Sequence, residues 1–244
     1  MGKGVRCFAA ISLLAAALLV AACGGDDSSD KASTGGSSSS GGDSSKPIVI
    51  GAAIAQSGFL APFDLPPYTA AQFAVDDINS KGGVLGRKLK LVATDMKSDP
   101  SQGPQAALDV LGQGADMVIV SCDFDTGSPA ATTATSKGKI AFSTCAGAPQ
   151  FGPQGIGPLA YTMGEAGQTE GAIMAEFAIQ DKKFKTAYLL TDTDLEYFKN
   201  VAKGFQTRYP QVGGKIVAQS NFKQKDPAAA VVDLMSRRLK HELA

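Results

Sequence analysis

The sequence contains 244 residues, of which 44% are hydrophobic, and its 23 basic side chains balance 23 acidic ones. This composition suffices for a buried core, and no basic patch indicates a nucleic-acid partner. Tryptophan is absent and His241 is the only histidine, so catalytic triads and metal centres that depend on histidine are disfavoured.

A cationic and then apolar segment occupies the N-terminus. Lys3 and Arg6 precede an apolar run over residues 8–22, which as a helix is roughly 22 Å long and therefore too short to cross a bilayer. These properties predict a signal peptide over residues 1–22. Cys23 follows two alanines in a pattern that resembles a bacterial lipobox, so we expect this cysteine to carry a lipid. The alternative is an ordinary signal peptide in which Cys23 is incidental.

The residues that follow Cys23 have a strongly biased composition. Residues 24–45 consist almost exclusively of Gly, Ser and Asp. Such a segment has too little apolar surface to form a packed core. We therefore predict a disordered tether over residues 23–45, the alternative being a tolerated low-complexity insert.

Short apolar runs alternate with amphipathic segments from residue 46 onwards. The predicted strands are 48–54, 89–93, 116–121, 139–144, 186–190 and 216–218. The predicted helices are 68–80, 101–111, 128–137, 166–179, a segment from about 195 to Pro210, and a last helix opened by Asp226–Pro227. This alternation predicts an α/β fold with parallel sheets covered on both faces. Ligands of such sheets bind beyond the carboxyl ends of the strands.

Two cysteines remain once Cys7 leaves with the signal peptide and Cys23 is lipidated. Cys122 and Cys145 each follow a predicted strand. If those strands are parallel neighbours, about 4.8 Å apart, the two cysteines lie within reach of a disulfide, which suits an oxidising compartment. The alternative is a pair of unreactive buried thiols.

Motifs for catalysis and for cofactor binding are missing or incomplete. The sequence contains neither a G-x-S-x-G elbow nor a phosphate-binding loop. Residues 155–160 formally fit a dinucleotide fingerprint, but they contain Pro158 and follow a predicted loop. We therefore predict that the protein is not an enzyme and uses neither a cofactor nor a metal.

An acidic pair follows the predicted strand 116–121. Asp123 and Asp125 flank Phe124. Three uses remain open for these carboxylates: capping the next helix, contacting a ligand amine or hydroxyl, and acid–base chemistry.

Several segments between Pro47 and Asp233 carry a family pattern. They are Gln56–Phe59, Ala74–Leu89, Asp95, Ser98–Pro100 and Asp192–Lys199. The most specific is the Asp-Ile-Asn-x-x-Gly-Gly-x-x-Gly stretch within Ala74–Leu89. In these segments the chain resembles the type I periplasmic binding proteins of the branched-chain amino-acid (leucine-binding-protein-like) type, which are solute receptors of ABC transporters.

The resemblance implies a periplasmic-binding-protein-like fold of type I. Two Rossmann-like lobes with parallel sheets would hold a solute between them, the N-terminal lobe over residues 46–162 and a partial C-terminal lobe over residues 163–244. Family members usually continue well beyond the point at which this sequence stops. We therefore expect the second lobe to be incomplete, through either a truncated gene product or a partial record.

The resemblance also implies ligand-binding positions at the strand ends that face the cleft. They are Ser57, Phe63, Asp123, Phe124, Asp125, Gly147, Ala148 and Tyr197. Phe124 and Ala148 stand where amino-acid receptors of the family have hydroxyl residues, which favours a more apolar or aromatic solute. Phe63, Phe124 and Tyr197 would contact that solute, unless the two phenylalanines belong to the core.

The function implied by the resemblance is capture of a small amino-acid-like, amide or aromatic solute outside the cytoplasm. The protein would be anchored to the bacterial cell membrane by its lipid and would deliver the solute to an ABC permease. Two alternatives are a ligand-sensing module that signals to a separate membrane receptor and a non-functional fragment of a binding protein.

Overall fold

The computed structural model of the protein describes residues 46–224 and, beyond them, residues 228, 231, 232 and 234–236. The predicted signal peptide, the lipidation site Cys23 and the predicted tether lie outside these described residues. In the part of the chain that is described, no helix combines the length and the apolar character needed to span a membrane.

Five parallel strands form the first sheet. They are β1 (Ile48–Ile54), β2 (Leu89–Asp95), β3 (Met117–Val120), β4 (Ile140–Ser143) and β5 (Ala160–Thr162), in the order β2-β1-β3-β4-β5. The first four strands and the parallel α/β class are confirmed. β5 was not predicted, because it has only three residues and follows a Gly- and Pro-rich segment.

Helices α2 (Gly103–Gly112) and α3 (Phe124–Ser136) pack on one face of this sheet. A short 3-10 turn, Pro100–Gln102, precedes α2, and the side chain of Asp99 caps it by accepting a hydrogen bond from the Ser101 N–H. The shared core consists mainly of alanine and valine side chains with almost no exposed surface. Small side chains on the helix faces allow the helices to approach the strands closely.

Helix α1 covers Ala61–Ser80 and begins seven residues before the predicted start at residue 68, although it contains Pro66 and Pro67. Prolines inside a helix remove hydrogen bonds and usually interrupt it. The first turn is held instead by Asp64, whose side chain is buried and accepts hydrogen bonds from the Ala55 N–H (2.7 Å) and the Cys122 N–H (2.8 Å). The start predicted at residue 68 is wrong because these distant contacts determine where the helix begins.

The second sheet contains two described strands, β6 (Thr186–Asp192) and β7 (Lys215–Phe222), which are parallel. Helices α4 (Gly167–Gln180) and α5 (Glu196–Gln211) accompany them and pack tightly on each other. Two glycines allow this contact, because a Cβ atom at Gly171 would overlap the Val201 backbone and one at Gly204 would overlap the Gln168 backbone. These four elements are confirmed, and β7 is longer than predicted. The predicted opening of the last helix at Asp226–Pro227 lies outside the described residues.

Candidate functional site

A cavity of 550 Å³ opens between the carboxyl ends of β1, β3 and β4 and the N-terminal turns of α4 and α5. Its volume falls within the range of roughly 300–1,000 Å³ that small-molecule sites occupy. Its position is the one that a parallel sheet provides, since the loops after the strands converge at that edge.

Five aromatic side chains line this cavity: Phe59, Phe63, Phe124, Tyr197 and Phe198. Phe63 is 59% exposed and therefore does not belong to the core, whereas Phe124 is partly buried, packs against the core and also lines the cavity. The Tyr197 and Phe198 rings meet edge to face, with 5.2 Å between their centroids. Most of the cavity wall is therefore apolar.

Asp123 lies at the junction of β3 and α3. Its side chain is buried and its Oδ2 atom accepts a hydrogen bond of 2.8 Å from the Thr126 N–H. This bond caps α3, which for that reason begins at Phe124 and not at the predicted residue 128. Helix capping is thus confirmed for Asp123, which also lines the cavity.

Asp125 makes a different contact. Its Oδ2 atom accepts a hydrogen bond of 2.8 Å from the backbone N–H of Glu196, in the first turn of α5. Burial raises the pKa of the Asp125 carboxyl, and the negative charges of Asp123 and Glu196 add to this effect against the opposing Glu196 N–H bond. Asp125 does not line the cavity.

Glu170 and Tyr197 form a hydrogen-bonded pair within the cavity wall. The Tyr197 hydroxyl donates a bond of 2.5 Å to Oε2 of Glu170, so α4 and α5 meet at this point. The bond to the carboxylate, with a smaller contribution from burial, raises the pKa of Tyr197 to about 12. Sequence reasoning missed Glu170, since its helix gave only an apolar stripe and no sign of which polar residue faces the cavity.

Carboxylates are the only charged side chains that line the cavity within the described part of the chain. They belong to Asp123, Glu165 and Glu170. Glu165 was not predicted either, because the loop before α4 contains no recognisable motif.

Three of the eight predicted ligand positions lie outside the cavity lining. Ser57 binds Asp95 through both its N–H (3.2 Å) and its hydroxyl (2.7 Å), and Ala148 is buried. Asp125 contacts α5 instead. The structure brings the other five together: Phe63, Asp123, Phe124, Gly147 and Tyr197.

The predicted disulfide between Cys122 and Cys145 is confirmed. The two residues follow the neighbouring parallel strands β3 and β4, and their Cα atoms are 4.8 Å apart. Both cysteines line the cavity, so the bond connects the loop that carries Asp123 and Phe124 to the loop that carries Gly147. Among the residues described, no cluster of three or more His, Cys, Asp or Glu side chains is arranged to hold a metal ion.

Comparison with known proteins identifies related sequences. The model of the periplasmic binding protein family matches residues 47–240. The Leu/Ile/Val-binding protein BraC3 of Rhizobium johnstonii is 29% identical over 159 residues, which are 65% of this chain and 43% of BraC3. The Leu/Ile/Val-binding protein of Citrobacter freundii is 27% identical over 173 residues, which are 71% of this chain and 47% of that protein.

Solved structures show the same fold. The branched-chain amino-acid transporter substrate-binding protein LivJ of Streptococcus pneumoniae, solved in complex with isoleucine, superposes with a TM-score of 0.69 at 26% identity, over 78% of this chain and 54% of LivJ. An ABC-transporter solute-binding protein of Rhodopseudomonas palustris, solved in complex with 3,4-dihydroxybenzoic acid, superposes with a TM-score of 0.64 at 17% identity, over 72% and 47% of the two chains.

The matched proteins are all of one class, and each is matched over a similar part of its length. The chain spans about half the length of the relatives that it matches. The family consists of solute-binding proteins, and its branched-chain amino-acid members share this arrangement of parallel sheets and helices. The chain belongs to the periplasmic binding protein family, in its type I, branched-chain amino-acid group.

Proposed function

We propose that this chain is the extracytoplasmic, lipid-anchored solute-binding component of an ABC importer. Its solute would be a small molecule: an amino-acid-like compound, an amide or an aromatic compound. The observation that supports this function is the 550 Å³ cavity, with aromatic walls, at the carboxyl ends of β1, β3 and β4. Residues 46–162 and 163–244 would form its two lobes.

A solute in this cavity would contact loops and helices that follow strands of both sheets. Phe63 and Phe124 follow strands of the first sheet, whereas Tyr197 lies in the first turn of the helix that follows β6. A solute that contacts both sides stabilises the arrangement in which they are close. A permease that recognises this closed arrangement would then distinguish loaded from empty protein.

The relatives support an amino-acid-like solute. LivJ of Streptococcus pneumoniae was solved with isoleucine, and the relatives from Rhizobium and Citrobacter are Leu/Ile/Val-binding proteins. The aromatic side chains of the cavity extend the proposal to aromatic solutes, because aromatic rings pack well against one another.

The proposed location has two supports. The Cys122–Cys145 disulfide suits an oxidising compartment outside the cytoplasm, and Cys23 follows a signal-like segment in a lipobox-like pattern. Labelling with radioactive palmitate in a bacterial host tests the anchor: we expect label in the wild type and none in Cys23→Ser. Equal labelling of the two proteins would contradict lipidation at Cys23.

A thermal-shift screen of amino acids, amides and aromatic compounds tests the binding function. A ligand at a hundredfold excess over its Kd stabilises the folded state by about 2.7 kcal/mol. We expect Phe124→Ser to lose most of the shift that the best compound produces. Phe73→Ser is the matched control, since Phe73 is 71% exposed on α1 and lies outside the cavity. An unchanged shift in Phe124→Ser would contradict the assignment of this cavity as the binding site.

A further inference from the structure

We propose that the solute is an organic cation: an amine or ammonium compound with an apolar or aromatic body and no free carboxylate. This inference rests on the proposed function, because it concerns the solute of the same cavity. The charges, the hydrogen bonds and the aromatic side chains of the cavity each support it.

The charges of the cavity favour a positive solute. Within the described part of the chain, every charged side chain that lines the cavity is a carboxylate, from Asp123, Glu165 or Glu170. A solute carboxylate would meet these like charges without a lysine or arginine to offset them, whereas an ammonium group would be attracted to all three.

Asp123 is placed to receive an ammonium group. Its side chain is only 8% exposed, and Oδ2 is already bonded to the Thr126 N–H. Oδ1 accepts no hydrogen bond from the described residues. Asp123 lines the cavity, and an ammonium group there could donate a charge-assisted hydrogen bond to this oxygen.

Four backbone donors that follow β1 and β3 are already occupied by carboxylates of the chain itself. Asp64 accepts from the Ala55 and Cys122 N–H groups. Asp95 accepts from the N–H groups of residues 56 and 57, at 2.9 and 3.2 Å. Of these residues Cys122 lines the cavity, and its N–H group is not available to a solute carboxylate because Asp64 already accepts from it.

The aromatic side chains give the cation a second kind of contact. An ammonium group over the face of an aromatic ring is attracted by the electrons of the ring. Phe63, Phe124 and Tyr197 reach the cavity from three different elements. The Tyr197 hydroxyl is bonded to Glu170, which fixes the tyrosine side chain beside a negative charge.

Matched compounds that differ only in their charged group provide the test. Isothermal titration calorimetry of residues 24–244 would compare benzylamine with benzoate and leucine amide with leucine, at neutral pH. We expect each amine to bind at least about tenfold more tightly than its carboxylate partner. Benzyltrimethylammonium cannot donate hydrogen bonds, so its affinity measures how much of the binding comes from the contact between the cation and the aromatic rings.

Two conservative variants locate the effect. Asp123→Asn keeps a helix-capping side chain and Glu170→Gln keeps an acceptor for Tyr197, so both should fold while losing a negative charge. We expect each variant to bind benzylamine about tenfold more weakly. The difference in affinity between benzylamine and benzoate should therefore become smaller. Asp76→Asn, on the exposed surface of α1, is the control and should change neither affinity.

The outcomes separate this inference from the proposed function. Tighter binding of benzoate and leucine than of their amine partners would overturn the cation proposal and leave a solute-binding function intact. Such a result would indicate that the first N–H groups of α3 hold the carboxylate. Absence of binding by all five compounds, to a protein that unfolds cooperatively, would contradict both.

Discussion

The carboxylate of Asp125 caps a helix that lies 71 residues further along the chain, through a 2.8 Å hydrogen bond from the Glu196 N–H. The residue at the N-cap position of α5 is Leu195, whose side chain has no acceptor for this purpose. Asp125 therefore supplies from α3 what the local sequence of α5 lacks. The bond connects a helix of the first sheet to a helix of the second.

Removal of this cap should destabilise the protein. We expect Asp125→Ala to lower the free energy of unfolding by about 1 kcal/mol, the usual cost of a lost N-cap. Asp125→Asn retains an oxygen acceptor and should lose much less. Urea unfolding of the two variants measures the difference, and equal losses would show that the hydrogen bond to Glu196 contributes nothing.

The pH dependence of stability should report on the same carboxyl. Because burial raises the pKa of Asp125 in the folded protein, the folded state binds this proton more tightly than the unfolded state. The contribution of Asp125 to stability is therefore fully present below the ordinary aspartate pKa of about 3.9. It decreases as the pH rises through the raised value.

The measurement compares the wild type with Asp125→Asn, which cannot ionise. We expect the wild type to lose stability relative to the variant as the pH increases from about 4 to about 7. A difference in unfolding free energy that stays constant over this range would contradict the raised pKa.

Asp64 should be one of the most sensitive positions in the first sheet. It is 2% exposed and accepts the N–H groups of both Ala55 and Cys122. Asp64→Ala leaves the buried Ala55 N–H and the partly buried Cys122 N–H without this partner, and we expect a loss of about 3 kcal/mol in unfolding free energy. Asp76→Ala, on the exposed surface of the same helix, should cost less than about 0.5 kcal/mol. Similar losses in the two variants would show that the buried bonds are not what holds α1.

The disulfide should stabilise the fold and respond to reductant. Cys122 and Cys145 are 23 residues apart in sequence, and a bond that closes a loop of this size contributes about 3 kcal/mol. We expect dithiothreitol to lower the melting temperature of the wild type. Cys122→Ser combined with Cys145→Ser should melt at the reduced temperature with or without reductant. A wild-type melting temperature insensitive to complete reduction would contradict a stabilising role.

The contact between α4 and α5 depends on glycine. A methyl group at Gly171 would overlap the Val201 backbone, so Gly171→Ala should cost about 1–3 kcal/mol. Gly112→Ala, at the end of α2, is the control because a Cβ atom there meets no other atom within 4 Å. That variant should be neutral or slightly stabilising. Chemical denaturation distinguishes the two, and a neutral Gly171→Ala would show that the helices separate at little cost.

Every described strand except β5, and most of the helices, could be predicted because their signals are local. In the apolar run 48–54 and the amphipathic segment 166–179, the length of the segment and the spacing of its apolar residues are enough to indicate a strand and a helix. The pairing of Cys122 with Cys145 was also accessible, since both follow neighbouring strands in a parallel sheet. These inferences required only the order of the elements.

The remaining features depend on contacts between distant residues. Asp64 meets Cys122 across 58 residues, and Tyr197 meets Glu170 across 27. Nothing in the local sequence of α1 indicates that the contacts of Asp64 would stabilise a helical turn ahead of Pro66 and Pro67. Likewise, the sequence showed Asp125 beside Asp123 but not that the two carboxylates point to different helices.

The tight packing of α4 on α5 has a consequence for how the cavity binds. Gly171 and Gly204 allow the two helix backbones to pack closely, and the Tyr197–Glu170 bond joins their side chains at the cavity. This wall is consequently preorganised, and a solute loses little affinity to the conformational entropy of ordering these side chains. Differences in affinity among solutes should then reflect their own shape and charge.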